Sequence, residues 1–276
     1  MTSAGEVSWP NLRRATPARI GLRRTGTALA TADHLDFQLA HARARDAVYA
    51  TLEAERIIAE LGEIGFEAIR LRSAAADRLT YLRRPDLGRR LDGPSRQLLE
   101  ERPRTATEVA FVIADGLSAT AVNSHAIALL KAVSQHSAEN AGVGPVAVVE
   151  GGRVAIGDEI GGLLEADLVA VLIGERPGLS ASDSLGVYVT WQPAPGTSDA
   201  ARNCLSNIRP QGLPIAEGAK ALLRLFAGAR QYRMTGVELS RRLAEGQPGP
   251  LADCCWPTPA WPHPGRGSRL SSLARR

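Results

Sequence analysis

The chain has 276 residues, enough for one large domain or two small ones with a substantial buried core. Its net charge of +4 comes almost wholly from arginine, and no basic block alternates with aromatic residues, so we expect no nucleic-acid partner. The sequence carries neither a signal peptide nor a membrane span, and its three cysteines form no disulfide framework. We therefore expect a cytoplasmic protein that does not insert into a membrane.

The first part of the chain predicts an arm followed by a helical region. Residues 1–30 contain arginine and threonine without clear periodicity, and we assign them to an N-terminal arm. From Asp33 onward, apolar residues recur three to five positions apart, which predicts a helix. A second helix is predicted over 52–61 and a short strand over 66–71. We treat 31–104 as one helical and connecting region.

Residues 105–245 alternate short apolar runs with amphipathic segments. Strands are predicted at 109–114, 146–149, 168–173 and 185–191, and helices at 119–132, 156–164 and 215–229. Such alternation is typical of a doubly wound sheet. The sequence therefore predicts an α/β fold: a Rossmann-like, mainly parallel sheet with flanking helices, preceded by an N-terminal helical segment.

Residues 246–276 form a tail of different character. Proline, glycine, serine and arginine dominate it, and it shows no periodicity. We expect this tail to be disordered, or ordered only on a partner.

Three loops follow predicted strands, at 115–118, 151–154 and 174–178, and each contains glycine. Ligands of open α/β sheets bind beyond the carboxyl ends of the strands, and glycine lets the main chain approach a ligand closely. Glu175 and Arg176 in the third loop have two interpretations. They contact a ligand, or they pair with each other and cap a turn.

Several common sites are missing from the sequence. It contains no G-x-G-x-x-G fingerprint between strand and helix, no phosphate-binding Walker loop and no G-x-S-x-G elbow. The five histidines lack metal-site spacing, so we predict no metal site. The polar segment 202–208 is interpreted either as a loop with a buried free Cys204 or as part of a site. No base accompanies Cys204 in sequence, which argues against a nucleophilic thiol.

Long motifs of this chain closely resemble those of the ethanolamine ammonia-lyase small (light) subunit family. They run in the family's order over about residues 12–240, and they are Leu-Asp-Phe-Gln-Leu-Ala-His-Ala-Arg-Ala-Arg-Asp-Ala-Val at 35–48, Asp-Arg at 77–78, Tyr-Leu-Arg-Arg-Pro-Asp-Leu-Gly-Arg-Arg-Leu at 81–91, Val-Ile-Ala-Asp-Gly-Leu-Ser-Ala at 112–119, Gly-Asp-Glu-Ile-Gly at 157–161, Ile-Gly-Glu-Arg-Pro-Gly-Leu at 173–179, Ser-Leu at 184–185 and Cys-Leu-Ser-Asn-Ile at 204–208. The tail 246–276 resembles nothing in the family.

This resemblance implies a subunit of an adenosylcobalamin-dependent radical lyase that converts ethanolamine to acetaldehyde and ammonia in ethanolamine degradation. In the family, a large barrel subunit binds the amino alcohol, and the Rossmann-like small subunit covers the cobalamin from the other side. The resemblance therefore implies a hetero-oligomer with cobalamin at the subunit interface. It is also compatible with packaging in a bacterial microcompartment.

Position by position, the family's cobalamin contacts fall on Val154, Glu175 and Cys204. A carboxylate suits the amide groups around a corrin ring, and main chain at Val154 and Cys204 can approach it closely. No catalytic residue of the family falls on this chain. The D-x-H-x-x-G motif of many other cobalamin proteins is absent, which agrees with a cofactor that keeps its own lower base on cobalt.

Two other functions remain open from the sequence. A corrinoid carrier or chaperone with the same fold would bind cobalamin without a large subunit. A Rossmann-type oxidoreductase is disfavoured by the missing fingerprint.

Overall fold

The computed structural model describes residues 9–103, 105, 107–135 and 143–245. The predicted tail 246–276 and the first eight residues of the predicted arm lie outside the described residues. Of the remaining arm, Trp9–Ala15 forms a short helix, α1, and two strands of two residues each, β1 (Arg24–Thr25) and β2 (Ala28–Leu29), pair antiparallel. These elements are largely exposed.

The two predicted N-terminal helices are present. The first, α2, spans Thr31–Tyr49, and the second, α3, spans Ala54–Glu63. Helix α3 is strongly amphipathic and buries Ala54, Ile57 and Leu61. Helix α2 buries only Ala40 and Ala47.

Within the described residues, the main sheet has six strands. They are β3 (Ala68–Arg72), β4 (Val109–Ala114), β5 (Val146–Glu150), β6 (Leu168–Gly174), β7 (Leu185–Trp191) and β8 (Arg202–Ile208), in the spatial order β3-β5-β4-β6-β7-β8. The first four are mutually parallel, β7 is antiparallel to β6, and β8 is antiparallel to β7. The predicted α/β fold with a mainly parallel sheet is confirmed.

Two hydrophobic cores lie on opposite faces of this sheet. The first face is covered by α3, α6 (Ala119–Ser134), α8 (Ile215–Tyr232) and α9 (Val237–Ala244). The second face is covered by α5 (Gly93–Glu100) and α7 (Ile156–Leu163), and α4 spans Arg78–Arg83 before α5. Every residue of β4 and β6 is buried, because central parallel strands have helices on both faces.

None of the described residues covers the second face of β8 at Cys204 and Ser206, whereas Thr190 and Arg202 at the other end of the strand pair are buried. Val187 and Val189 of β7 belong to the first core, so their neighbour Tyr188 points to the second face. Tyr188 lies opposite Cys204 of β8, and both Cys204 and Ser206 are exposed. We call Gly186, Tyr188, Cys204 and Ser206 the β7–β8 ledge.

The structure corrects the interpretation of residues 202–208 and adds four helices. Residues 202–208, interpreted as a loop with a buried cysteine, form β8, and Cys204 is exposed. An edge strand with one uncovered face tolerates small polar residues, so the segment lacks a continuous apolar run. Helices α1, α4, α5 and α9 are not predicted from the sequence. None of the helices in the described part of the chain is long and apolar enough to cross a membrane.

Candidate functional site

The three predicted loops lie at one edge of the sheet, as expected, because they follow the parallel strands β4, β5 and β6. The loops after β4 and β6 touch through their main chains. The N–H of Leu117 donates to the carbonyl oxygen of Gly174 at 2.9 Å. A Cβ atom on Gly174 would lie only 2.0 Å from the carbonyl oxygen of Ser118. Glycine at this position therefore permits the close approach.

Glu175 follows β6 and holds its side chain against the β7–β8 ledge. Its carboxylate accepts hydrogen bonds from the hydroxyl of Ser184, from the hydroxyl of Ser206 at 2.6 Å and from the N–H of Asn207 at 3.1 Å. A carboxylate accepts about four hydrogen bonds, so Glu175 has capacity for one further donor. The interpretation that Glu175 pairs with Arg176 is wrong: Glu175 is held by hydroxyls and an N–H, and Arg176 is exposed.

A bulge in β8 brings two of these donors to Glu175. Between the pairs Leu185–Ile208 and Val187–Leu205, the pairing register shifts, so β8 has one residue more than β7. Asn207 in the bulge has φ of 59°, a left-handed conformation that asparagine adopts more readily than most residues. The bulge turns the N–H of Asn207 and the hydroxyl of Ser206 toward the carboxylate. We call Ser184, Ser206 and Asn207 the Glu175 cradle.

Cys204 lies two residues before the cradle on the same strand. Partial desolvation raises the pKa of its thiol above the ordinary value; a hydrogen bond with Tyr188 lowers it, and the nearby Glu175 carboxylate raises it. Desolvation also raises the pKa of Tyr188. The thiol is thus kept neutral at physiological pH, as expected for a residue that is not a nucleophile.

Val154 lies in the loop between β5 and α7, and it packs against the second core while remaining half-buried. Strand β4 separates β5 from β6, so this loop is about 10 Å along the sheet edge from the loop of Glu175. The structure therefore brings Glu175 and Cys204 into one neighbourhood. It places Val154 farther along the same edge.

An ion pair joins α7 to β8. Asp158 in the first turn of α7 binds the guanidinium of Arg202 at the start of β8, with Nη–Oδ distances of 2.6 and 2.7 Å. Asp158 belongs to the Gly-Asp-Glu-Ile-Gly motif, but the motif by itself does not predict this ion pair. A carboxylate in the first turn of a helix can be recognised from the sequence as stabilising the helix start. The identity of its partner, Arg202, 44 residues away, cannot be read from the sequence.

Asp115 closes β4 between the loops of β5 and β6. Burial raises its pKa to about 6, although the adjacent guanidinium of Arg78 and main-chain N–H groups at Gly151, Gly152 and Gly116 act in the opposite direction. The sequence places Asp115 in a glycine-containing loop and in a family motif, without predicting these contacts. Among the residues that the structure describes, no group of three or more His, Cys, Asp or Glu side chains could hold a metal ion.

Comparison with known proteins identifies the family. The family profile for the ethanolamine ammonia-lyase light chain matches residues 6–240. The ethanolamine ammonia-lyase small subunit of Pseudomonas syringae pv. tomato is 53% identical over 235 residues, which cover 84% of this chain and 82% of that one. The small subunits of Azotobacter vinelandii and of Xanthomonas campestris pv. campestris (strain B100) are each 50% identical over 250 and 244 residues, covering 86% of this chain and 89% of each relative. The chain belongs to the ethanolamine ammonia-lyase light chain family.

Proposed function

We propose that this chain is the small subunit of an adenosylcobalamin-dependent ethanolamine ammonia-lyase, which converts ethanolamine to acetaldehyde and ammonia in ethanolamine degradation. In this proposal the chain works as a hetero-oligomer with a large subunit, and neither subunit is active alone. Family membership supports the reaction. The single structural observation that supports a cofactor-binding role is the Glu175 cradle beside an open ledge.

The residues at this edge fit a corrin ring in their chemistry. A corrin ring carries amide side chains on its rim, and these groups donate and accept hydrogen bonds. Glu175 has capacity for one more donor, and its three existing hydrogen bonds hold the carboxylate in one orientation. The ledge beside it is exposed at Cys204 and Ser206, so that a planar ligand can contact the main chain there.

Each residue then has a definite task. Glu175 accepts a hydrogen bond from an amide group of the corrin rim. Main chain at Val154 and at Cys204 forms the rest of the wall. When bound, adenosylcobalamin supplies the radical that abstracts hydrogen from the substrate. This chain orients the cofactor and excludes water, and the large subunit forms the opposite wall and binds ethanolamine.

The test is co-expression with a large subunit of the same enzyme. The complex should produce acetaldehyde only when adenosylcobalamin is added, and the chain alone should produce none. Glu175→Ala should weaken the cobalamin affinity of the complex by about tenfold or more, since it removes a hydrogen bond to a charged group. Glu217→Ala is the matched control, because this exposed glutamate forms its ion pair with Lys220 on the same helix, α8.

Three results would contradict the proposal. One is deaminase activity of the chain without a large subunit, and another is an unchanged cobalamin affinity in Glu175→Ala. The third is cobalamin binding by the isolated chain with no turnover after the large subunit is added, which is the behaviour of a corrinoid carrier.

A further inference from the structure

Asp115 joins two neighbouring elements through its two carboxylate oxygens. Oδ1 accepts a hydrogen bond from the N–H of Gly152 at 3.1 Å, in the loop after β5. Oδ2 is 3.3 Å from Nη1 of Arg78, the first residue of α4. The side chain of Asp115 is 11% exposed. A buried carboxylate needs hydrogen-bond partners, and here the N–H of Gly152 and the guanidinium of Arg78 hold the carboxylate of Asp115 in one orientation.

Arg78 ties the same carboxylate to two further segments. Its Nε donates to the carbonyl oxygen of Val48 at the end of α2, at 2.7 Å, and its Nη1 also donates to the carbonyl oxygen of Gly116, at 2.8 Å. The guanidinium therefore holds α2, α4 and the loop after β4 together. Through Arg78, Asp115 is anchored to elements that lie outside the loop it binds.

Tyr81 also binds the loop after β5, through the carbonyl oxygen of Gly152. Its hydroxyl donates to the carbonyl oxygen of Gly152 at 3.3 Å, and the Cζ atoms of Arg78 and Arg153 lie over its ring, 4.7 and 4.5 Å from the ring centroid. The N–H of Arg153 in turn donates to the carbonyl oxygen of Gly88 at 2.8 Å. Both main-chain polar groups of Gly152 are thus bound by side chains, Asp115 on the N–H and Tyr81 on the carbonyl.

The loop needs such support because it leaves the sheet abruptly. Gly151 has φ of 70°, which favours glycine, and a Cβ atom on Gly152 would lie 2.9 Å from the Cβ of Ala114. After β5 ends at Glu150, the strand ladder no longer fixes the chain. Asp115 and Tyr81 therefore hold the main chain two residues before Val154, whose own carbonyl oxygen accepts from the N–H of Gly157 at 3.1 Å.

We propose that Asp115 and Tyr81 are positioning residues that hold the peptide groups of Gly152 and thereby place the main chain at Val154 for contact with the cofactor. This inference rests on the proposed function, because it assumes that Val154 contacts cobalamin. It assigns to α4 and to the end of β4 a part in building the cofactor wall, although neither element contributes a predicted contact.

The experiment compares variants of the complex with the large subunit. Cobalamin affinity is measured by absorbance titration with adenosylcobalamin, and hydrogen exchange is measured at the amides of 151–154. Asp115→Ala should weaken affinity by about tenfold and accelerate exchange at Gly152 by at least as much, since it removes the acceptor for that N–H. Asp115→Asn should restore part of the affinity, because its amide oxygen can accept the hydrogen bond from Gly152 while its NH2 group would face the guanidinium of Arg78. Tyr81→Phe keeps the ring and removes only the hydroxyl, so a smaller, few-fold loss of affinity is expected.

Glu108→Ala serves as the control at the opposite end of the same strand. It removes the ion pair between Glu108 and Arg230, far from the loops, and should lower stability without changing cobalamin affinity. The inference fails if Asp115→Ala accelerates exchange at Gly152 while its cobalamin affinity stays at the wild-type value. It also fails if the Asn variant loses as much affinity as the Ala variant. If Asp115→Ala does not fold, an unchanged affinity in Tyr81→Phe overturns it.

The failure of this inference is distinguishable from failure of the proposed function. If the wild-type complex does not bind cobalamin, or if Glu175→Ala leaves the affinity unchanged, the proposed function itself is wrong. If Glu175→Ala weakens binding and Asp115→Ala does not, only the positioning role of Asp115 is wrong.

Discussion

Asp158 and Arg202 form a bidentate ion pair that joins the first turn of α7 to the start of β8. Their side chains are 2% and 3% exposed. Arg202 also donates to the hydroxyl of Thr190 at 3.1 Å, to the carbonyl oxygen of Thr197 at 2.7 Å and, through Nε, to the exposed carboxylate of Asp199 at 3.4 Å, so all of its N–H groups have a partner. Because the helix follows Val154 and the strand carries Cys204, this pair connects two of the predicted cofactor contacts.

Breaking the Asp158–Arg202 pair on one side should be costly. Asp158→Ala leaves the buried guanidinium with only the exposed carboxylate of Asp199, 3.4 Å from its Nε, and we expect a loss of about 3 kcal/mol in the free energy of unfolding. Urea denaturation of the full chain measures it. Asp158→Leu combined with Arg202→Met removes both charges, and we expect this double variant to recover most of the loss. A single variant that loses less than about 1 kcal/mol would contradict the assigned role.

Asp115 should make stability depend on pH. Its pKa is raised to about 6 in the folded chain, above the 3.8 of an unperturbed aspartate, so between these values the folded state binds more protons than the unfolded state. The contribution of Asp115 is therefore fully present below about pH 4 and is lost as the pH rises through 6. Over about two pH units the loss is about 3 kcal/mol.

The matched variant for this effect is Asp115→Asn, which does not titrate. Urea denaturation of both proteins at steps between pH 4 and 7 should show the wild type losing about 3 kcal/mol relative to the variant. Other titrating groups cancel in this difference. A difference that stays constant over the range would show that Asp115 ionises with an ordinary pKa.

The thiol of Cys204 should ionise at a higher pH than an ordinary cysteine, because its pKa is raised. With Cys254 and Cys255 replaced by serine, Cys204 is the only thiol, and its alkylation by iodoacetamide should reach half-maximal rate above the ordinary pKa of 9.0. Glu175→Gln removes a nearby negative charge and should lower this midpoint. Tyr188→Phe removes a hydrogen bond that lowers the pKa of the thiol and should raise it. Shifts in the opposite directions would refute the arrangement of the ledge.

Gly174 should not tolerate a side chain. The Cβ atom of Gly174→Ala would lie 2.0 Å from the carbonyl oxygen of Ser118 and 2.6 Å from that of Asp115, and main chain cannot yield cheaply. We expect a loss of about 3 kcal/mol in the free energy of unfolding. Gly162→Ala in α7 is the control, since only the carbonyl oxygen of Pro193 comes near, at 3.6 Å. It should gain about 0.5–1 kcal/mol from helix propensity, and equal stabilities of the two variants would contradict this.

The sequence by itself determined the fold class and most of its elements. The strands β4 and β6 were predicted to within one residue, because a strand covered on both faces must be apolar at every position. The prediction that three loops lie at one edge of the sheet depends only on β4, β5 and β6 being parallel. Family motifs named Glu175 and Cys204, and the structure brings these two together.

Only the tertiary structure decided which residues form hydrogen bonds and ion pairs with Glu175 and Arg202. The donors to Glu175 lie 9 to 32 residues away, just before β7 and at the bulge of β8, and Arg202 binds Asp158, which lies 44 residues from it in sequence. Strand β8 was interpreted as a loop because one of its faces is open and its polar residues show no apolar run. Periodicity in a sequence records which faces are buried, whereas pairing across the sheet depends on the spatial order of strands, which local pattern does not contain.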